Sequence, residues 1–312
     1  MKKKLVAGAV TLLSVVTLAA CANGTNKDVV TMKGDTITVS DFYDEIKTNQ
    51  GAQQVLFQMT INKVFEKEYG SKVSDKEVDK ELAKQKKQLG NQFDAYLAQQ
   101  GLTEETAKKQ IRSNMLLEYA VNQAAKKDIK ESDYKAAFES YTPEVTAQII
   151  KLDSEDKAKE VLEAAKAEGA DFAQIAKDNS TDTATKDKGG EVKFDSGTTD
   201  IPSQVKEAAF KLDENGISDV ITVSAGQNYS ASYYIVKLNK KTEKGSDWKK
   251  YEKRLKEIIV DSRKQDTNYI RSIIAKAMTN ANIKVKDDAF KSTFNQYLQN
   301  IGVETSDSSS SS

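Results

Sequence analysis

The chain has 312 residues, with 47 basic and 47 acidic side chains, one cysteine and no histidine. The missing histidine excludes Ser-His-Asp and Cys-His catalysis and every histidine-ligated metal site, and a single cysteine leaves no partner for an internal disulfide or thiolate cluster. Only Arg112, Arg254, Arg263 and Arg271 are arginine; the planar fork suited to phosphate is scarce, so nucleic acid is not expected as a partner, and no metal or other cofactor is assigned.

Lys2, Lys3 and Lys4 precede an apolar run from Leu5 to Ala20 that stops at Cys21. Broken by Thr11, Ser14 and Thr17, the run is shorter than the ~20 apolar residues of a membrane-spanning helix. Its basic, apolar, small-residue order is that of a secretory signal. Leu18-Ala19-Ala20-Cys21 resembles the lipobox of bacterial lipoproteins, which implies a signal peptide at 1–20 and acylation of Cys21. Two acyl chains anchor stably where one binds only marginally. Residues 21–27 are then a lipidated polar tether, and loss of the three signal lysines leaves 44 basic against 47 acidic residues.

Val29–Met32 and Thr36–Val39 flank Lys33-Gly34-Asp35 and predict a hairpin with Gly34 in its turn. From there to about residue 142 the apolar spacing is helical: Val55, Leu56, Met59, Val64 and Phe65, then Phe93, Tyr96 and Leu97, then Ile111, Met115, Leu116 and Tyr119. Ser74-Asp75-Lys76-Glu77 has the form of a capping box ahead of Val78 and Leu82. Beyond Pro143 the texture changes. Strands are predicted at 145–152, 191–194, 220–223 and 233–238, and helices at 158–165, 172–176 and 204–210, with Gly189-Gly190 as a break; such alternation over about a hundred residues argues a compact α+β domain. From Trp248 a helical pattern returns through Leu255, Ile258, Ile259, Ile270, Ile273, Ile274 and Met278, and Phe290, Phe294, Tyr297, Leu298 and Ile301 extend it. The serine run to Ser312 cannot bury apolar surface and is expected to be disordered.

Five pieces of the central stretch resemble a parvulin-type peptidyl-prolyl isomerase. They are Ala170-Asp171-Phe172-Ala173-Gln174-Ile175-Ala176, Asn179-Ser180-Thr181-Asp182, Lys188-Gly189-Gly190-Glu191, Lys206-Glu207-Ala208-Ala209-Phe210 and Tyr233-Tyr234-Ile235-Val236-Lys237. With the lipobox and the helical flanks, the whole chain is similar to the PrsA foldases of Gram-positive bacteria. The resemblance implies an α+β fold in which helical segments at 28–142 and 243–305 form one chaperone lobe, with a parvulin-like domain inserted at 143–242 and a disordered tail at 306–312. It implies a foldase at the extracellular face of the cell membrane, held by Cys21 and acting on unfolded or newly exported proteins.

Rotation about an X-Pro bond meets a barrier of ~18–20 kcal/mol. A catalyst needs an apolar slot for the proline ring and polar groups for the twisted amide. Ile201, Val205 and Phe210 are the apolar candidates, and Phe210 matches the family's pocket phenylalanine. The family's two strand histidines correspond to Gln148 and Tyr234, and its aspartate or cysteine after the double glycine to Glu191. With both imidazoles replaced, little or no isomerase activity is expected. Gln148 and Tyr234 also read as strand residues seeking hydrogen-bond partners, Glu191 as a solvated carboxylate and Phe210 as core. A holdase without isomerase activity is the alternative; a solute-binding lipoprotein fits less well because the flanks lack repeated β-α units. A homodimer is left open. The Ser-x-x-Lys pairs Ser132-Lys135, Ser154-Lys157 and Ser203-Lys206 lack companion motifs and read as coincidence.

Overall fold

The structure, a computed structural model, describes residues 27–225 and 230–298. The expectations for the signal run, Cys21, Ile301 and the serine tail lie outside the described residues.

The hairpin forms as the sequence predicts: β1 (Asp28–Met32) and β2 (Asp35–Thr38) pair antiparallel with Met32 opposite Asp35. Gly34, at φ +88°, supplies the left-handed residue the turn requires. Six helices follow: α1 (Val39–Ile46), α2 (Gln50–Tyr69), α3 (Asp75–Leu89), α4 (Phe93–Gln99), α5 (Glu104–Lys127) and α6 (Glu131–Ser140). The capping box at α3 is present. Glu77 N donates to Ser74 Oγ at 3.3 Å, and Ser74 N donates to the Glu77 carboxylate at 2.8 Å.

The central stretch contains β3 (Val145–Leu152), α7 (Glu155–Lys166), α8 (Phe172–Asn179), β4 (Glu191–Phe194), α9 (Ser203–Lys211), β5 (Ile221–Ala225) and β6 (Ser230–Lys241). A 3-10 turn at Trp248–Tyr251 leads into α10 (Glu252–Gln265), then α11 (Thr267–Asn280) and α12 (Lys291–Leu298).

The chain divides into two compact units, one drawn from Met1–Gly70 with Ile274–Ser312 and the other from Ser71–Ile273. In the first, α12 packs on α2. The Phe57 ring stacks on Tyr297 at 4.4 Å and meets Phe294 edge-on at 5.4 Å, while Tyr43 Oη donates to Asp287 at 2.8 Å. In the second, α10 lies against α5 and α6. Arg263 of α10 donates to the Ala125 carbonyl at 2.9 Å and pairs with Asp133 at 2.7 Å, and Trp248 stacks on Tyr134 at 5.0 Å.

The second unit also holds a four-stranded antiparallel sheet in the order β4-β3-β6-β5. Both faces of β3 carry buried apolar side chains. On one face Val145, Ala147 and Ile149 join Val236, Leu238 and Phe194 beneath Val205 and Ala209 of α9. On the other, Ile150, Leu152 and Ile235 meet Ala158 and Val161 of α7 and Phe172 and Ala176 of α8. An α+β sheet domain inserted between helical segments is the fold class the sequence implies.

Candidate functional site

Strand alternation decides what the site residues share. Successive side chains on a strand point to opposite faces, so Gln148 falls on the Ile150 face, toward α7 and α8. Gln148 stands directly between Glu191 on β4 and Lys237 on β6. It is half-buried, and its Nε2 donates to the Gly189 carbonyl at 2.9 Å. Glu191 is exposed beside it.

The double glycine makes this approach feasible. Gly189 and Gly190 sit at φ +67° and +77°, and a Cβ on Gly190 would come within 2.5 Å of the Ile149 carbonyl. Ile149 N in turn donates to the Gly190 carbonyl at 2.8 Å.

Tyr234 lies on the other face. It packs, half-buried, against the cluster under α9, directly opposite Lys151 on β3 and Ile221 on β5. The structure therefore brings Gln148 and Glu191 together and keeps Tyr234 apart from both.

The three apolar candidates all belong to the Tyr234 face. Val205 is fully buried and forms part of its floor. Ile201 and Phe210 remain partly accessible, and the Phe210 ring lies 5.7 Å from Phe194, tilted by 50°. Ile221, Val223 and Tyr234 are also half-buried here. The result is an accessible apolar surface that includes Tyr234, with Lys151 as its cross-strand neighbour, which suits a proline ring beside polar groups. Lys151, Ile221 and Val223 are the residues that sequence reasoning missed; the period-2 pattern already places Lys151 on the face of Ile149.

The turn after β4 is held by a buried carboxylate. Asp195 accepts from Arg254 Nε at 2.6 Å and Nη2 at 2.8 Å, from Tyr141 Oη at 3.1 Å, and from Gly197 N at 3.0 Å. Burial pushes this carboxyl's pKa up, but the Arg254 hydrogen bonds and charge outweigh it, and the net position is below the usual carboxylate range. Burial and the Asp195 charge push the Tyr141 phenol up.

The family model described as Rotamase, PPIC-type PPIASE domain, matches residues 141–240. Foldase protein PrsA of Streptococcus sanguinis is 62% identical over 302 residues, covering 97% of this chain and 90% of that protein. The chain belongs to the PrsA foldase family. The PrsA foldase of Streptococcus gordonii is 60% identical with full coverage of both chains. Among solved structures, PrsA from Streptococcus pneumoniae is 55% identical, with a TM-score of 0.79, covering 87% of this chain and 99% of that one. PrsA from Lactococcus lactis is 39% identical, with a TM-score of 0.65. The sheet with its crossing helices is thus the PrsA rotamase domain, and the helices around it are PrsA flanks.

Proposed function

We propose that this chain is a foldase for exported proteins, tethered by acylated Cys21 to the outer face of the cell membrane. Its clients are unfolded chains emerging from translocation. The observation that carries the reading is full-length similarity to PrsA foldases, joined to a central domain whose α9 face offers half-buried apolar side chains. Among the described residues no helix is long and apolar enough to cross a membrane, and a lipid on Cys21 supplies the attachment instead.

Proline binding is assigned to Ile201, Phe210 and Tyr234, with Val205 as the floor. Gln148 and Glu191 hold the double-glycine segment against β3. A holdase reading is favoured by one specific relationship: Gln148 and Tyr234 occupy opposite faces, so these two side chains do not act together on one amide. Apolar surface for clients is plentiful. Val30, Phe42, Val55 and Met59 are each about half exposed in the first unit, at 47%, 52%, 60% and 51%. A groove of about 390 Å³ is lined by Leu117, Val121 and Ile270 in the second. A homodimer would use the same kind of surface, and concentration-dependent sedimentation separates the two uses.

The test follows aggregation of an unfolded client and refolding of a proline-limited client, both with the full chain. Foldase function requires suppression of aggregation at near-stoichiometric ratios. Acceleration of the slow phase assigns isomerase activity, and its absence leaves the holdase.

A further inference from the structure

Asp195 directly follows strand β4 of the rotamase domain, yet its counterion is not in that domain. The domain match stops at residue 240, whereas Arg254 is on α10, the helix that packs mainly on α5 and α6. The Asp195 side chain is only 7% exposed, and Arg254 meets both of its oxygens in a bidentate pair. A second observation shows the same junction. A Cβ on Gly197 would fall 2.4 Å from Cγ1 of Ile258, one turn along α10 from Arg254, so the turn after β4 packs backbone-close onto that helix. On its far side the turn is tied to α9: Lys206 Nζ donates to the carbonyls of Ser196, at 2.9 Å, and Thr198. The same α9 carries Val205 and Phe210.

We infer that Arg254 is a positioning residue for the proline slot: through Asp195 and the 195–198 turn, α10 sets where α9 stands over the sheet, although no α10 residue lines the slot. This rests on the reading that the α9 face takes the proline ring. Its consequence is that the rotamase domain cut at 240, without the Arg254 pair, has a looser slot than the whole chain.

The experiment compares full-length wild type with Arg254→Ala and Arg254→Lys. Amide exchange at 203–211 and at 111–121 of α5 is measured, with affinity for a proline-containing tetrapeptide titrated alongside. Loss of a bidentate charge-assisted pair should raise exchange at 203–211 by about tenfold or more and weaken the peptide by a similar factor. Exchange in α5 should change far less, and Arg254→Lys, which keeps the charge but not the fork, should fall between. Unchanged exchange at 203–211, or an equal rise in α5, overturns the inference. If Arg254→Ala does not fold, Arg254→Lys against wild type decides on the same two segments. A wild type that binds no proline peptide sinks the slot reading alone, because exchange still reports whether Arg254 fixes α9.

Discussion

Tyr234 stands directly opposite Lys151 across the β3–β6 pair, on the face of the sheet that carries α9, while Gln148 points to the other face and holds the Gly189 carbonyl. Tyr234→Ala should therefore weaken a proline-containing peptide by about tenfold, the ratio that corresponds to ~1.4 kcal/mol of lost apolar contact. Gln148→Ala should leave peptide affinity unchanged and cost about 0.5–1.5 kcal/mol of stability for its hydrogen bond. Titration and urea unfolding of both variants check this. Equal loss of affinity would contradict the two-face assignment.

Placing histidine at both positions should not raise the isomerisation rate, because the two imidazoles would lie on opposite faces. A proline-limited refolding assay of the Gln148→His, Tyr234→His double variant reads this directly. A faster slow phase would mean that a single imidazole suffices.

Much of the fold is legible in the sequence because period and punctuation agree there. Val145–Leu152 and Glu191–Phe194 are strands with the expected limits, and Ser74 and Gly34 act as the local chemistry predicts. The site is less legible for a geometric reason. Which face each of Gln148 and Tyr234 takes depends on the register between β3 and β6, in which Gln148 faces Lys237 and Tyr234 faces Lys151, and neither segment alone encodes that register. Asp195 and Arg254 are 59 residues apart, and nothing local in either segment marks a buried pair.

Asp195 makes a sharp pH prediction. Its folded-state pKa lies below the ordinary carboxylate value, so its contribution is complete above the unfolded value of ~3.9 and disappears as pH falls through the lower folded value. Asp195→Asn should cost stability at pH 7, toward the lower end of the ~3–5 kcal/mol of a broken buried pair because Arg254 is partly exposed. The gap between variant and wild type should narrow as the pH falls below the ordinary carboxylate value and through the lower folded-state one. Tyr141 acts at the opposite end: its phenol is raised, so its contribution is complete below ~10 and is lost as pH rises further. Denaturant midpoints between pH 2.5 and 7 test the acid limb.

Two glycines with similar dihedrals should respond differently to alanine. Gly101, at φ +64°, has open space within 4 Å of where a Cβ would stand, so Gly101→Ala should cost only the ~1–2 kcal/mol of left-handed backbone. Gly190, at φ +77°, would drive its Cβ to 2.5 Å from the Ile149 carbonyl and 3.0 Å from the Ile149 amide. Gly190→Ala should cost several kcal/mol, beyond ~4, and loosen β4 from β3. Thermal melting of both variants checks the ranking.

Cys21→Ala should release the protein from membranes once the signal is cleaved, since Cys21 is the chain's sole cysteine. Fractionation after a high-salt wash reads it. Retention of the cleaved variant would refute the lipid anchor.

The helical flanks should fold without the sheet domain. Contacts between the flanks are substantial: Arg263 bridges α10 to the Ala125 carbonyl and Asp133, Trp248 stacks on Tyr134, and Tyr251 lies 5.7 Å from Phe138. Phe57 meets Phe294 and Tyr297 in the same way within the first unit. Strand β3 begins and β6 ends side by side, with Val145 opposite Lys241, so a short Gly/Ser linker can replace everything between them. Residues 28–142 joined to 243–305 should fold cooperatively as a helical protein and still suppress client aggregation. Separation costs both pieces the Asp195–Arg254 pair, but in the flanks α10 keeps its packing on α5 and α6, whereas in the excised domain the 195–198 turn loses the helix it packs against. The flanks should therefore survive separation better than the rotamase domain. Circular dichroism melts of the two pieces decide it, and an unfolded helical piece beside a stable excised domain would reverse the order.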